Sequence, residues 1–245
     1  MIFSGFMARG LYDTLFYKNG EQPILFAVLA IICIAVPYLL GSLNFAIIIS
    51  KLRYGQDIRN YGSGNAGMTN MLRTYGKGAA AVTLLCDMLK AVVSVTLGSA
   101  LLGLAFGGYM AGFFCMLGHM FPIFYKFKGG KGVASTAAMI LVLNPPVFLI
   151  LFIVFAIIVL GTKYVSLASI MSVLLFPVFL HRVDTITTEW YQMNGTMWGP
   201  DVLFAVLIAV TVVFMHRSNI KRLLDGTESK ISLGKKKDKE DGEGK

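Results

Sequence analysis

Apolar residues in this chain gather into long unbroken runs, separated by short polar stretches. We read seven runs, over residues 23–50, 79–106, 108–125, 132–143, 146–160, 164–180 and 200–215. Several runs are long enough to span a bilayer, which takes roughly 20 residues of helix. The pattern predicts an all-α polytopic membrane protein with seven transmembrane helices. Asn144-Pro145-Pro146 separates the fourth run from the fifth, because proline cannot continue a helix. At 12 and 15 residues those two runs are short, so they are expected to stop partway across or to sit in a thinned bilayer.

That break decides the topology. With seven spans and the N-terminus outside, 18 of the 22 Lys and Arg residues fall on the inner side. Arg9, Lys18 and Arg182 lie outside, and Lys90 lies within a span. Cytoplasmic loops carry such an excess. One kinked helix over 132–160 would give six spans and put the Lys/Arg-rich C-terminus outside, against the rule. The C-terminus is therefore expected to be cytoplasmic. Hydrophobic residues make up 56% of the chain, which excludes a soluble domain. The net charge of +9 then reads as topology and affinity for anionic lipid, with no nucleic acid partner.

Three segments are expected: an extracytoplasmic one at 1–22, a membrane domain at 23–232, and a disordered charged tail at 233–245. Arg9, Asp13, Lys18 and Glu21 interrupt residues 1–22, so these do not read as a cleavable signal peptide; Ile2, Phe3, Phe6, Leu11, Leu15 and Phe16 suit an amphipathic segment. Cys33, Cys86 and Cys115 sit in apolar runs without metal-ligand spacing and read as small buried side chains.

Three polar segments fall on the inner face. GSGNAGMTNMLR, residues 62–73, reads as a polar loop. Gly62, Gly64 and Gly67 let its backbone approach a ligand, Ser63, Asn65, Thr69 and Asn70 supply hydroxyls and amides, and Arg73 supplies a planar fork suited to phosphate. KGGKGV, residues 128–133, opens the fourth helix; Gly129, Gly130 and Gly132 would expose N–H groups beside a helix dipole, and Lys131 adds a point charge. By itself this is equally a flexible turn with a topology-setting lysine. HRSNIKRLLDGTE, residues 216–228, follows the last span. Helical spacing puts His216, Asn219 and Leu223 on one face, Arg217, Lys221 and Arg222 read as interface anchors, and Gly226 suits a helix C-cap. Within the membrane, Asp87 and Lys90 stand at i, i+3, either as a structural ion pair or with Lys90 facing the polar pocket. Asn44 and His119 read first as helix-packing hydrogen-bond groups.

These segments, with YLLGSLNFAIIISKL at 38–52, DIRNYGSGN at 57–65, GHMFPIFYKFKGGKGVA at 118–134, YVSLASI at 164–170 and RLLDGTESKIS at 222–232, resemble the bacterial glycerol-3-phosphate acyltransferases that use acyl phosphate as donor. The resemblance covers most of residues 35–232. It implies a seven-helix enzyme of the bacterial inner membrane, with its site at the cytoplasmic face. Such an enzyme joins glycerol-3-phosphate and a fatty acyl phosphate to give lysophosphatidic acid and inorganic phosphate, the first acylation of phospholipid synthesis. It implies Ser63, Arg73, Lys131, His216 and Asn219 as catalytic residues. Gly64, Asn65, Gly67, Thr69, Asn70, Lys90, Gly129, Gly130, Gly132 and Glu228 would hold substrate and phosphate. No cofactor and no metal are implied; membrane lipids and the soluble enzyme that makes acyl phosphate are implied partners. The chain departs from the family at Asn44, where Pro is common, and at Ala66, where Pro or Ile is common.

The chemistry agrees with the residues. An acyl phosphate is already an activated anhydride, so no covalent nucleophile is needed, only two anions held together and charge stabilised as the phosphate leaves. The hydroxyl proton goes either to His216 or to the substrate's own phosphate. Coenzyme A thioester chemistry through a His-x4-Asp pair is disfavoured, because none of His119, His181 and His216 has Asp five positions on. A transporter of phosphorylated solutes would show paired repeats and broken helices at mid-membrane. A lipid-binding scaffold would need only basic charge.

Overall fold

The computed structural model describes residues 10–12, 22–190 and 199–231, and these residues are helical with connecting turns and no strand. The expectations for most of residues 1–22 and for the 233–245 tail lie outside the described residues. Ten helices follow in order: α1 Pro23–Ser42, α2 Phe45–Tyr54, α3 Met68–Tyr75, α4 Lys77–Leu102, α5 Tyr109–Met120, α6 Val133–Leu143, α7 Pro145–Thr162, α8 Val165–Trp190, α9 Pro200–Met215 and α10 Arg217–Leu224.

Among the described residues, five spans are long and apolar enough to cross a membrane, six if α9 and α10, which meet at a 57° bend, count as one. The exception is α6: its 11 residues reach only about 16 Å, short of the roughly 30 Å hydrocarbon core. The Asn-Pro-Pro break is present, and the Asn144 side chain caps α7 by accepting from Val147 N at 3.2 Å. The expectation of a short fifth helix is corrected, since α7 runs 18 residues to Thr162.

The first run is not one helix. It breaks at Leu43–Asn44, and Asn44 starts α2 by accepting from Ile47 N at 3.1 Å. The sixth run does not stop at 180, because neither Gly nor Pro interrupts 178–190 and α8 continues to Trp190.

Close crossing of α1 and α5 sets the centre of the bundle. A Cβ on Gly41 would overlap Cys115 O, and one on Gly118 would overlap Tyr38 O. Small residues let the two backbones touch, the usual means of association where no hydrophobic effect drives it. Tyr38 Oη donates to Phe121 O at 2.8 Å, closing the same interface at its polar end. The main apolar cluster joins α4 to α9 through Val95, Met116, Met139, Leu151, Phe176 and Ile208.

Candidate active site

The polar segments meet at one end of the bundle. The Asn44 amide donates to Ala66 O at 3.2 Å, Arg59 Nη1 donates to Tyr125 O at 2.9 Å, Ser166 Oγ donates to Glu228 Oε1 at 2.8 Å, and Ile231 N donates to Lys163 O at 2.9 Å. Between them lies a cavity of about 1030 Å³. Its mouth carries Ser63, Thr69, Arg73, Lys131, His216 and Asn219, and its interior carries Leu84, Met88, Ile140, Phe148, Phe155 and Val173. Along α7, Phe148 lies 14 residues before Thr162, about 20 Å of helix. The cavity therefore has a charged mouth and a deep apolar shaft.

Residues 68–75 are helical, which corrects the reading of 62–73 as a loop throughout. As a result Thr69 and Arg73, at i and i+4, share the cavity face. Asn70 also borders the cavity, but its side chain is committed to backbone groups. Its amide donates to Ile58 O at 3.2 Å and to Tyr61 O at 2.9 Å, and its oxygen accepts from Ser63 N at 2.9 Å. Buried and fully engaged, Asn70 shapes the Ser63 turn rather than offering its amide to a ligand. Asn65 and Gly67 line the mouth; Gly64 does not.

The second motif is also only partly as expected. Gly129 N and Gly130 N donate to Met120 O and His119 O, both at 3.1 Å, so these amides are not open to an anion. Close packing explains both glycines. A Cβ on Gly130 would strike the His119 ring, and one on Gly129 would strike His119 O. Gly132 takes φ +78 and precedes α6, whose first turn carries no side-chain cap and opens on the cavity through Val133 and Ala134. Gly67 precedes α3 in the same way, with Met68 and Thr69 on the wall. Two uncapped helix N-termini thus face one cavity beside Arg73 and Lys131, a favourable place for anions.

The third motif supplies a hydrogen-bonded wall. Lys131 Nζ donates to Asn219 Oδ1. Asn219 Nδ2 donates to Glu228 Oε1 at 2.6 Å, and Arg222 Nε donates to Glu228 Oε2 at 2.7 Å. Arg222, rather than Leu223, completes the cavity face with His216 and Asn219, so its reading as an interface anchor is corrected. Ser166, Ser169 and Ser172 also line the cavity; their i, i+3, i+6 spacing was the available signal, in a helix that otherwise reads as apolar. Gly226 follows α10 in the left-handed region, as expected.

Lys90 does not reach this cavity. It pairs with Asp87 Oδ1 at 2.8 Å and donates to Gly41 O at 2.9 Å and Leu43 O at 2.8 Å. It therefore fills the carbonyls freed by the α1–α2 break, which corrects its placement among the phosphate-binding groups. The three cysteines are free thiols, two of them buried. Among the described residues, no three His, Cys, Asp or Glu side chains converge as metal ligands.

Electrostatics follow from burial. Burial lowers Lys131 to about 8, helped by the charges of Arg222 and Arg73. His216, just past α9, is lowered to about 4, chiefly by burial. Its Nδ1 lies 2.8 Å from Val212 O, which assigns the proton to Nδ1 and leaves Nε2 as an acceptor. For Glu228, burial pushes upward, but hydrogen bonds from Asn219, Arg222 and Ser166 outweigh it and hold the carboxyl below its usual range.

Residues 31–226 match the family model described as glycerol-3-phosphate acyltransferase. A glycerol-3-phosphate acyltransferase of Thermoanaerobacter sp. (strain X514) is 41% identical over 204 residues, covering 82% of this chain and 96% of the relative. One of Clostridioides difficile (strain 630) is 40% identical over 213 residues, covering 85% and 97%. The crystal structure of PlsY (YgiH), an integral membrane glycerol 3-phosphate acyltransferase, in its glycerol 3-phosphate form, superposes with a TM-score of 0.72 at 34% identity, covering 83% of this chain and 96% of that one. Its lysophosphatidic acid form gives 0.70 at 32% identity.

Proposed function

This chain belongs to the glycerol-3-phosphate acyltransferase family, and from that premise we propose that it transfers a fatty acyl group from acyl phosphate to glycerol-3-phosphate, releasing lysophosphatidic acid and inorganic phosphate. The carrying observation is the shape of the large cavity, with cations and two helix N-termini at the mouth and an apolar shaft below. The mouth suits two compact phosphates, and the shaft suits one acyl chain. A related structure bears glycerol 3-phosphate and another lysophosphatidic acid, in keeping with this substrate and product.

In this reading Arg73, Lys131 and the first turns of α3 and α6 hold the phosphates. Ser63, Thr69 and Asn219 orient them. The glycerol hydroxyl oxygen bonds to the acyl carbonyl carbon, the carbon–oxygen bond to phosphate breaks, and inorganic phosphate leaves. The hydroxyl proton passes to the phosphate of glycerol-3-phosphate, whose second pKa is about 6. What supports this choice over His216 is the lowered His216 value of about 4, too weak a base near neutrality. Neutral His216 then accepts a hydrogen bond through Nε2. We further propose seven membrane segments with α6 only part-way across, the N-terminus outside and the site on the cytoplasmic side of the inner membrane. There a soluble enzyme supplies the acyl phosphate.

The test compares palmitoyl phosphate with palmitoyl-coenzyme A as donor to purified protein in detergent, with and without a chelator. The expected result is turnover of the acyl phosphate alone, with one phosphate released per lysophosphatidic acid. Efficient thioester turnover, or activity lost to the chelator and restored by magnesium, would overturn the reading.

A further inference from the structure

A second cavity, of about 370 Å³, is lined by Asp57, Arg59, Asn60, Gly64, Lys126 and Lys128, with Gly129. It shares the two glycine-rich segments with the large cavity. Gly64 and Gly129 line the small one, while their neighbours Ser63, Asn65 and Lys131 line the large one.

One wall is rigid. Arg59 Nε and Nη2 donate to the Asp57 carboxylate at 2.9 and 2.7 Å, and Nη1 donates to Tyr125 O at 2.9 Å and Lys128 O at 3.2 Å. Lys51 adds a second cation 3.5 Å from Asp57. The acidic group in the cavity is thus already paired. Lys126 and Lys128, both exposed, make no ion pair among the described residues. Positive charge is left over at the cavity wall.

The turn that presents these lysines is strained. Lys126 and Phe127 both take φ +57, consecutive left-handed positions on residues that carry a Cβ. Hydrogen bonds from Phe127 N to Pro122 O at 3.0 Å and from Lys128 N to Tyr125 O at 3.3 Å hold it, together with Arg59. The turn follows the Phe106–Tyr125 span directly, so it lies at the membrane surface. Phe124 and Phe127 are each 55% exposed there. Exposed aromatic rings flanking basic residues at that depth suit a lipid, with chains against the rings and headgroup on the cations.

We propose that this second cavity binds the phosphate of an anionic glycerophospholipid, through Lys126, Lys128 and the Arg59 wall, with the lipid's chains against Phe124 and Phe127. The lysines alone would accept a free phosphate equally well; the two exposed rings favour the lipid. A ligand here bears on the 128–131 segment that carries Lys131, so the site stands beside the large cavity without being part of it. The proposal is independent of the acyl-transfer reading, because binding alone tests it.

The experiment reconstitutes the full chain in phosphatidylcholine bilayers containing a minor fraction of phosphatidylglycerol, extracts it in mild detergent, and counts retained lipids by native mass spectrometry. Wild type should retain phosphatidylglycerol in preference to phosphatidylcholine. The Lys126→Gln/Lys128→Gln variant should lose that preference about 10- to 30-fold, the scale of two lysine contacts at an anionic surface. The Phe124→Ser/Phe127→Ser variant should weaken it. The preference should persist in Arg73→Ala, which separates this site from the large cavity. No preference in wild type, an unchanged preference in the double lysine variant, or loss in Arg73→Ala would each overturn the proposal. Displacement of the lipid by inorganic phosphate would also overturn it, by showing a free-anion site. If the Gln variant fails to insert, the wild-type and phosphate arms still decide, and Lys126→Arg/Lys128→Arg should bind as wild type does.

Discussion

Asn219 Nδ2 donates to Glu228 Oε1 at 2.6 Å, and the other end of the same amide takes the Lys131 ammonium. Glu228 therefore fixes which way the Asn219 amide faces, and through it where the Lys131 charge sits. It also neutralises Arg222 on its second oxygen. Glu228→Gln removes that charge and leaves Arg222 without its partner. Hydrogen bonds to charged groups contribute about 1.5–3 kcal/mol, so kcat/KM for glycerol-3-phosphate should fall roughly 10- to 150-fold. The variant should still insert and purify, because Glu228 is at the cavity mouth and not in the apolar cluster. Steady-state kinetics beside a melting curve in detergent separate the two effects; unchanged kcat/KM would show that Glu228 does not position Asn219.

Arg73 and Lys131 carry the strongest demand on charge. Alanine at either position should cost about 2–4 kcal/mol in the transition state, a loss of roughly 30- to 1000-fold. Arg73→Lys should also be impaired, since a point charge does not replace a planar fork. Retention of near-normal kcat/KM by either alanine variant would remove that residue from the site.

The pH response of Lys131 separates stability from activity. Its value is about 8 in the folded protein and near 10.4 in an unfolded chain. Between those values the unfolded chain binds more protons, so stability rises with pH across the window. Below pH about 8 the folded state bears the full cost of the buried charge. Activity runs the other way. The free enzyme needs the ammonium, so kcat/KM should fall about tenfold per pH unit above 8. Lys131→Arg, which stays charged, should lack that limb. A limb unchanged in Lys131→Arg would assign it elsewhere.

Much of this was legible before the structure, and what was missed has physical causes. The long apolar runs and the Asn-Pro-Pro break give the helices, because a bilayer permits little else and proline leaves no choice. The break at Asn44 was hidden because its neighbours are apolar, and only the cap bond to Ile47 N and the Lys90 contacts reveal it. For Lys90 the i, i+3 spacing already offers the ion pair with Asp87 that the structure shows; its other partners, His119 and the carbonyls of Gly41 and Leu43 at the α1–α2 break, are distant in sequence and no local pattern announces them. Gly129 and Gly130 read as amide donors, yet their task is to let the chain pass His119. Arg222 reads as an ordinary interface anchor from its sequence, since its use depends on Glu228 six positions on across a turn.

Topology is open to direct test. The 18 to 3 asymmetry of Lys and Arg predicts that residues 51–78, 125–131 and 216–245 lie inside. Single cysteines introduced at position 230 should resist an impermeant thiol reagent in intact cells and react after permeabilisation. A cysteine at position 199, just before α9, should react in both. External labelling at 230 would invert the assignment.

His216 offers the sharpest test of where the proton goes. It is buried, its Nδ1 is held to Val212 O at 2.8 Å, and its value is about 4, against about 6.5 in an unfolded chain. From pH 6.5 down towards 4 the unfolded chain takes up a proton that the folded protein refuses. Stability is full above 6.5 and falls across that window, by up to about 3 kcal/mol. Melting curves should show this loss in wild type and not in His216→Gln. If the substrate phosphate is the base, the acid limb of kcat/KM should sit near its second pKa of about 6 in both proteins. His216→Gln, which keeps a polar group towards the cavity, should then lower kcat without moving that limb. A limb that shifts or vanishes in His216→Gln would make the histidine, rather than the substrate, the acceptor of the proton.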